Sequence, residues 1–337
     1  MKKILLSLAA AVMAVSVGAK ELPKNVVVYE GDKGPGKGKH IVFIASDHEY
    51  RAEETCPMMA RILAKHYGFK CSVIFGVNKD GFVEPGSSII PGTFLLEDAD
   101  LLFLFARFLN PTDELMKPIE DYIQRGGPIV GLRTSTHAFK NDNKGTYAKY
   151  DWKSKVEGYR GGFGRVILGE GWAGHYGPNH KSSTRLDIVE ENKDHPILKG
   201  VKDMWCSAGA YQARPVKGSV VLAMSQPLAT MDPASEPMKG KKPTAGMWVR
   251  TYTSEAGKEG RAFCVTQGTS EGIVNDGLRR ALVNASLWAM GMEDKIVADS
   301  NIDLVGGFKP KKFNFHGQSK GLDPQSVAGW EAPIFAK

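Results

Sequence analysis

The chain has 337 residues, 42% of them hydrophobic, with a formal net charge of +7. That is enough to bury a substantial core, as one large α/β domain or two smaller ones. The basic excess is scattered: its densest runs, 33–40, 239–242 and 309–312, fall in Gly/Pro-rich loops. Without a basic face or a binding motif, nucleic acid is excluded as the expected partner.

Residues 1–19 read as a secretory signal peptide, with Lys2 and Lys3 as the charged start, an apolar stretch over 4–17, and Val17-Gly18-Ala19 as a small-residue cleavage site. No later stretch approaches the roughly 18 uncharged apolar residues that a membrane span requires. A periplasmic or secreted protein, cleaved near Ala19 and without a membrane span, is expected. Residues 20–38 read as an extended leader ending in the glycine-rich loop 31–38. This loop precedes a strand, whereas a phosphate-binding loop follows one and opens a helix.

A strand is predicted over 41–46, then a helix over 53–66 with Pro57 in its first turns, Met58, Ile62 and Leu63 on its apolar face, and Gly68 as its stop. A strand over 69–75 and a Gly/Pro-rich loop over 78–91 follow. The fully apolar run 101–105 reads as a central strand covered on both faces. Thr112 caps the next helix, which shows Leu115, Ile119, Tyr122 and Ile123 on one face, ends at Gly126-Gly127 and leads to a strand over 129–132. This alternation predicts a doubly wound parallel α/β sheet.

Residues 138–183, rich in Gly, Lys, Tyr and Trp, read as a long excursion over the sheet rim. Short strands are expected near 185–189, 220–224, 246–252 and 262–266, and a last helix over 276–290 with Leu278, Leu282, Ala285 and Trp288 as its buried stripe. One α/β domain over 39–298 with long rim insertions and a wrapping tail over 299–337 is the organisation expected. Among the four cysteines, Cys71 and Cys264 read as buried thiols, Cys56 and Cys71 form a candidate bridge, and no CxxC spacing marks a zinc site.

Three of the predicted strands end in polar clusters. The first runs into Asp47-His48-Glu49-Tyr50-Arg51, the second into Arg107, the third into Arg133-Thr134-Ser135-Thr136-His137. In an open α/β sheet ligands bind outside the carboxyl ends of the strands, so these clusters are expected to share one pocket. His137 suits general acid/base work because imidazole titrates near neutral pH. Glu49 is its expected partner, while Glu53 and Glu54 favour the helix dipole. Asp47, Tyr50, Arg51, Arg107, Arg133, Thr134 and Ser135 are candidate substrate contacts.

His175 and His180 in the rim excursion either share a divalent metal such as zinc, with a third ligand from His137 or Glu49, or line a sugar subsite. In the second case Trp172 or Tyr176 stacks on the ring, with Arg185 nearby. His195 reads as structural, and His40, His48, His66 and His316 have no supporting pattern. The turn at 133–136 lacks Gly-x-Ser-x-Gly and holds no cysteine, which disfavours acyl-enzyme chemistry.

The segments Gly36-Lys37-Gly38-Lys39-His40-Ile41-Val42, Asp47-His48-Glu49-Tyr50-Arg51-Ala52-Glu53-Glu54, Arg133-Thr134-Ser135-Thr136-His137-Ala138-Phe139 and Gly277-Leu278-Arg279-Arg280-Ala281-Leu282-Val283-Asn284 resemble the trehalose-utilisation (ThuA-like) family, its exported bacterial members above all. The resemblance implies a flavodoxin-like, class I glutamine amidotransferase-like fold. It also implies a role in sugar catabolism, on disaccharides oxidised to keto-sugars. Glutaminase activity does not carry over, because the elbow cysteine is absent.

The chain departs from the family pattern at Ser207-Ala208-Gly209-Ala210 and at Gln267-Gly268-Thr269-Ser270. The expected function is carbohydrate processing on a keto-sugar or small glycoside. In it His137 moves the proton, Glu49 orients it or serves as a second base, and Arg107 or Arg133 steadies an enolate. The alternatives are a metal-dependent hydrolase built on His175 and His180, and a non-catalytic sugar-binding protein. The expected partner is a small carbohydrate, and a homodimer stays open.

Overall fold

Strands rich in Val, Ile, Leu and Phe assemble one ten-stranded sheet in the computed structural model, which describes residues 20–315 and 319–335. The expected signal peptide and its cleavage point near Ala19, and His316, lie outside the described residues. The strands are β1 (Val26–Glu30), β2 (His40–Ser46), β3 (Lys70–Phe75), β4 (Leu101–Ala106), β5 (Ile129–Leu132), β6 (Thr184–Ile188), β7 (Trp205–Cys206), β8 (Val220–Pro227), β9 (Thr244–Thr253) and β10 (Glu259–Val265). Their spatial order is β1-β3-β2-β4-β5-β10-β9-β8-β6-β7.

The block β3-β2-β4-β5-β10 is parallel. The rest is not, which corrects the expectation of a wholly parallel sheet. β1 lies antiparallel on β3, so part of the expected leader is a strand. β9, β8, β6 and β7 continue the other edge antiparallel. The physical reason is connection length: residues 254–258 alone join β9 to β10, whereas a parallel pair needs a crossover of about a dozen residues or more.

Helices α1 (Ala52–Tyr67) and α3 (Asp276–Ala289) cover one face and α2 (Asp113–Gln124) the other. β4 feeds both cores by alternation: Leu101, Phe103 and Phe105 face α1, while Leu102, Leu104 and Ala106 face α2. Helix α1 starts at Ala52 and stops at Gly68, whose φ of 81° permits the left-handed cap. Thr112 holds the expected cap position of α2 without a side-chain bond, whereas Asn275 caps α3 by accepting from the Leu278 N–H at 2.9 Å. Trp288 in the predicted α3 stripe is only partly buried. All four cysteines are buried and free, so the candidate Cys56–Cys71 bridge is not formed. No helix among the described residues is long and apolar enough to cross a membrane.

The tail packs back over α1. Arg61, fully buried, donates to the carbonyls of Val305, Val327 and Ala332 at 3.4, 2.9 and 2.7 Å, and its guanidinium lies over the Tyr29 ring. Tyr29 donates its hydroxyl proton to the same Val327 carbonyl at 2.6 Å. Hydrogen bonds to a charged group are worth about 1.5–3 kcal/mol each, and buried carbonyls left unpaired add to the loss. Arg61→Ala is therefore expected to lower unfolding free energy by about 3 kcal/mol or more, read from the urea midpoint, and to open the tail beyond residue 299 to limited proteolysis.

Candidate functional site

From β2 the chain first adds β3 on one side and then crosses over to add β4 on the other. The carboxyl ends of β2 and β4 therefore flank a topological switch point, the crevice where open α/β sheets bind ligands. Asp47 turns the chain there: its Oδ1 accepts from the backbone N–H groups of Glu49, at 2.8 Å, and of Tyr50. Glu49, 3% exposed, meets Arg107 from the end of β4, whose Nη1 donates to Glu49 Oε2 at 2.6 Å. Burial raises the Glu49 carboxyl above its ordinary range, and the nearby Tyr50 hydroxyl and the Arg107 and Arg133 charges hold that rise back.

Arg133 and His137 come from the turn after β5. Arg133 is fully buried and lies between two aromatic faces, its guanidinium carbon 4.0 Å from the Tyr50 ring centre and 4.2 Å from that of Tyr211. It donates to the carbonyls of Thr266 (2.7 Å) and Gly209 (3.1 Å) and to Asn179 Oδ1 (3.4 Å). Those partners occupy its two terminal nitrogens and tie it to three loops, while its buried Nε has no partner. Arg107 keeps a buried Nε without a partner.

His137, 1% exposed, sits in a nest of rings: Phe108 and Trp172 at centroid distances of 5.0 and 5.2 Å, Tyr211 at 6.2 Å and Trp152 at 6.4 Å. Its Nδ1 lies 3.1 Å from the Thr136 hydroxyl, which donates its one proton to the Arg133 carbonyl. With the hydroxyl proton given to that carbonyl, the imidazole supplies the proton of the first contact, which puts hydrogen on Nδ1 and leaves a lone pair on Nε2. Nε2 is buried with no partner. Burial first, then the charges of Arg107 and Arg133, push the imidazole well below its ordinary pKa. The group is a neutral imidazole with an unpartnered ring nitrogen, in the field of Arg107, whose Nε is also unpartnered.

The hub that joins these parts was missed by the sequence reading. Asn179 donates from Nδ2 to Glu49 Oε1 at 3.1 Å and to the Tyr50 hydroxyl at 2.9 Å, while its Oδ1 accepts from Arg133 and from the Gly209 N–H. It lies between the two histidines that drew attention to its loop. Tyr211, Phe108 and Trp152 were also missed; all are aromatic residues on loops, where periodicity carries no signal. Four of the eight non-glycine residues with positive φ among the described residues belong to this region: Arg51, Phe108, Arg133 and His180. Such strain clusters at functional sites. A close backbone approach sets the loop spacing: a Cβ on Gly209 would strike the Gly177 carbonyl.

Other expected contacts go elsewhere. Arg51 turns toward the tail and Glu53, donating to the Lys312 carbonyl at 3.2 Å and to Glu53 Oε1 at 3.3 Å. Ser135 donates inward to the Leu104 carbonyl at 2.7 Å, and the buried Thr134 hydroxyl has no partner. Tyr176 lies under Lys241, 4.5 Å from its ring, and Arg185 pairs with Asp187 on β6. Trp172, by contrast, faces His137 and carries a buried Nε1 without a partner.

The two rim histidines turn to different neighbours. His180 stacks on Phe313 at 4.4 Å, and His175 packs edge-on against Trp172 and Tyr211 at 6.0 and 5.4 Å. Desolvation, then Arg133 and Arg107, lower His175 to about 4. Among the described residues no three His, Cys, Asp or Glu side chains converge to hold a metal.

No protein-family model matches the chain, and no curated protein matches it in sequence. Among solved structures it is similar to a protein assigned by name as ThuA-like from Bacteroides uniformis, at 15% identity over 77% of this chain and 95% of that one, with a TM-score of 0.49. A second protein so named, from Parabacteroides merdae, is 14% identical over 87% of this chain and 100% of its own, with a TM-score of 0.45.

A lowered histidine pKa in the native state means that the unfolded chain binds protons more readily. The stabilisation from neutral His137 and His175 is complete above the ordinary histidine value near 6.5 and is lost as pH falls toward about 4, where His175 protonates. In urea unfolding at stepped pH, His137→Phe is expected to flatten that part of the stability profile relative to wild type.

Proposed function

We propose that the protein processes carbohydrate by proton transfer beside a carbonyl, acting on a keto-sugar or small glycoside. The buried, unpartnered lone pair of His137 Nε2 carries this reading. A keto group acidifies the adjacent C–H, and the imidazole, already unprotonated, can take that proton, with its lowered pKa reducing its strength as a base. Arg107, beside it, offers the unused donor for the oxygen that gains charge. Aromatic faces suit the apolar faces of a sugar ring, and the Trp172 indole N–H is a ready donor to a hydroxyl.

Glu49 takes a different part from that first expected. Thr136, not Glu49, bonds and orients His137, while Glu49 holds Arg107 and Asn179 in place. A depressed imidazole pKa also helps the cycle close, because the imidazolium formed readily gives its proton back to carbon or to a leaving oxygen. The parallel strand order, read as 2-1-3-4-5, is that of flavodoxin-like folds. Together with the segments resembling the ThuA-like family it supports the sugar-catabolic reading. The pattern of residues 1–19 supports action after export.

With 3-keto-glycosides as substrates, His137→Ala is expected to lower turnover by about 10²–10⁴-fold with the far-UV circular dichroism unchanged. Sugar binding without turnover in the wild type, across oxidised and unoxidised sugars, would point to a sugar-binding protein instead. A second variant tests the division of labour. Thr136→Val removes the hydroxyl that fixes the tautomer and is expected to lower kcat by about tenfold or more with little change in KM.

A further inference from the structure

The tail does more than wrap the outside. From 311 to 314 each residue of the strap is bonded to the segments that follow β2 and β10, and Asn314 reaches Glu49 itself. The Lys311 N–H donates to Glu54 Oε2 at 3.1 Å and its carbonyl accepts from Ser270 Oγ at 3.3 Å. The Lys312 carbonyl accepts from Arg51 Nε, and the Phe313 N–H donates to Glu271 Oε2 at 3.3 Å. The Asn314 N–H donates to the backbone carbonyl of Glu49 itself at 3.1 Å. Segments near chain ends are ordinarily held loosely; this one is fixed where it crosses the crevice.

The side chain at the middle of the strap is wedged between the two halves of the site. Phe313, 1% exposed, stacks on His180 of the rim loop at 4.4 Å with 22° between the planes, and lies 5.2 Å from the Tyr50 ring. On its other face Tyr50 holds Arg133, and Arg133 meets Tyr211, which borders His137. A continuous column runs His180, Phe313, Tyr50, Arg133, Tyr211, His137. Asn179, next to His180 in the chain, bonds Glu49 and Tyr50.

We propose that the strap over 311–315 is a structural part of this site and that Phe313 is its positioning residue. By filling the gap between Tyr50 and His180, Phe313 fixes the Asn179 amide, and through it the Glu49–Arg107 pair, at the distance the chemistry uses. Phe315 extends the same wall, its ring 4.9 Å from the Arg107 guanidinium. The catalytic part of this inference rests on the proton-transfer reading above; the positioning part does not.

The experiment pairs kinetics with amide exchange on the full chain. In Phe313→Ala, kcat on the 3-keto-glycoside is expected to fall about 10–100-fold, as misplacement by about 1 Å allows, with KM shifted less than about threefold. Phe313→Tyr, which keeps both stacking faces, is expected to recover most of it. The Tyr176 and Gly177 amides, bonded to the Ala210 carbonyl, are expected to exchange at least about tenfold faster in Phe313→Ala, since local opening sets their protection. If Phe313→Ala does not fold, Phe313→Leu takes its place, filling the volume without stacking. A wild type inert to every sugar would remove the catalytic reading, and exchange alone would then decide the strap. Unchanged exchange at Tyr176 and Gly177 in a folded variant overturns the inference, as does full activity in Phe313→Ala.

Discussion

A buried guanidinium without a carboxylate partner organises this molecule's functional half. Burying an unpaired charge is costly, and Arg133 is entirely out of solvent. Its charge is met by carbonyl oxygens from two separate loops, an amide oxygen from a third and two tyrosine faces. Each loop must therefore hold its place for the arginine to stay buried, and removing any one partner leaves a charge short of a bond. Loops that would otherwise wander over the sheet rim are thereby tied to the carboxyl end of β5. The aromatic contacts add selectivity for Arg over Lys, since only a planar guanidinium can lie flat between two rings.

From that centre two different electrostatic regimes follow. On one side Arg107 and Glu49 neutralise each other at 2.6 Å. On the other, His137 and His175 are kept neutral by desolvation and by the same two arginines. An uncharged imidazole beside a compensated ion pair makes a site that can accept a proton without first breaking a salt bridge. It also explains why Glu49 is a poor candidate for a second base: its carboxylate is engaged on both oxygens, by Arg107 and by Asn179.

The sequence was most legible where periodicity and strand ends carry the signal. The parallel block, helices α1 to α3 and the position of Glu49, Arg107, Arg133 and His137 just after neighbouring strand ends follow from apolar runs, caps and the switch-point rule. What was not legible depends on contacts between distant loops. Val26–Glu30 reads as an extended leader because a single edge strand with no hairpin partner looks like coil; only β3, some forty residues later, makes it a strand. Asn179 was overlooked because an asparagine in a Pro-Asn-His turn is the ordinary residue of a turn. Its role exists only once Glu49, Tyr50, Arg133 and Gly209 surround it. The histidine pair shows the same limit, since close spacing in a loop says nothing of direction: His175 turns to Tyr211 and His180 to Phe313.

The segments 207–210 and 267–270 become intelligible in this light. Gly209 supplies both a carbonyl to Arg133 and an N–H to Asn179, at a point where any side chain would collide with the Gly177 carbonyl. Thr266 and Gln267 supply the other oxygens around the same guanidinium. Neutral dipoles surround Arg133, with no side-chain carboxylate within ion-pair distance among the described residues, and leave its positive charge in force. Burial first, then Arg107, and then this Arg133 charge lower the His137 imidazole, and Arg133 adds a lesser share to what holds back the Glu49 carboxyl's rise. Neutral loop dipoles thus surround a buried cation, and the imidazole next to it is held in its neutral form.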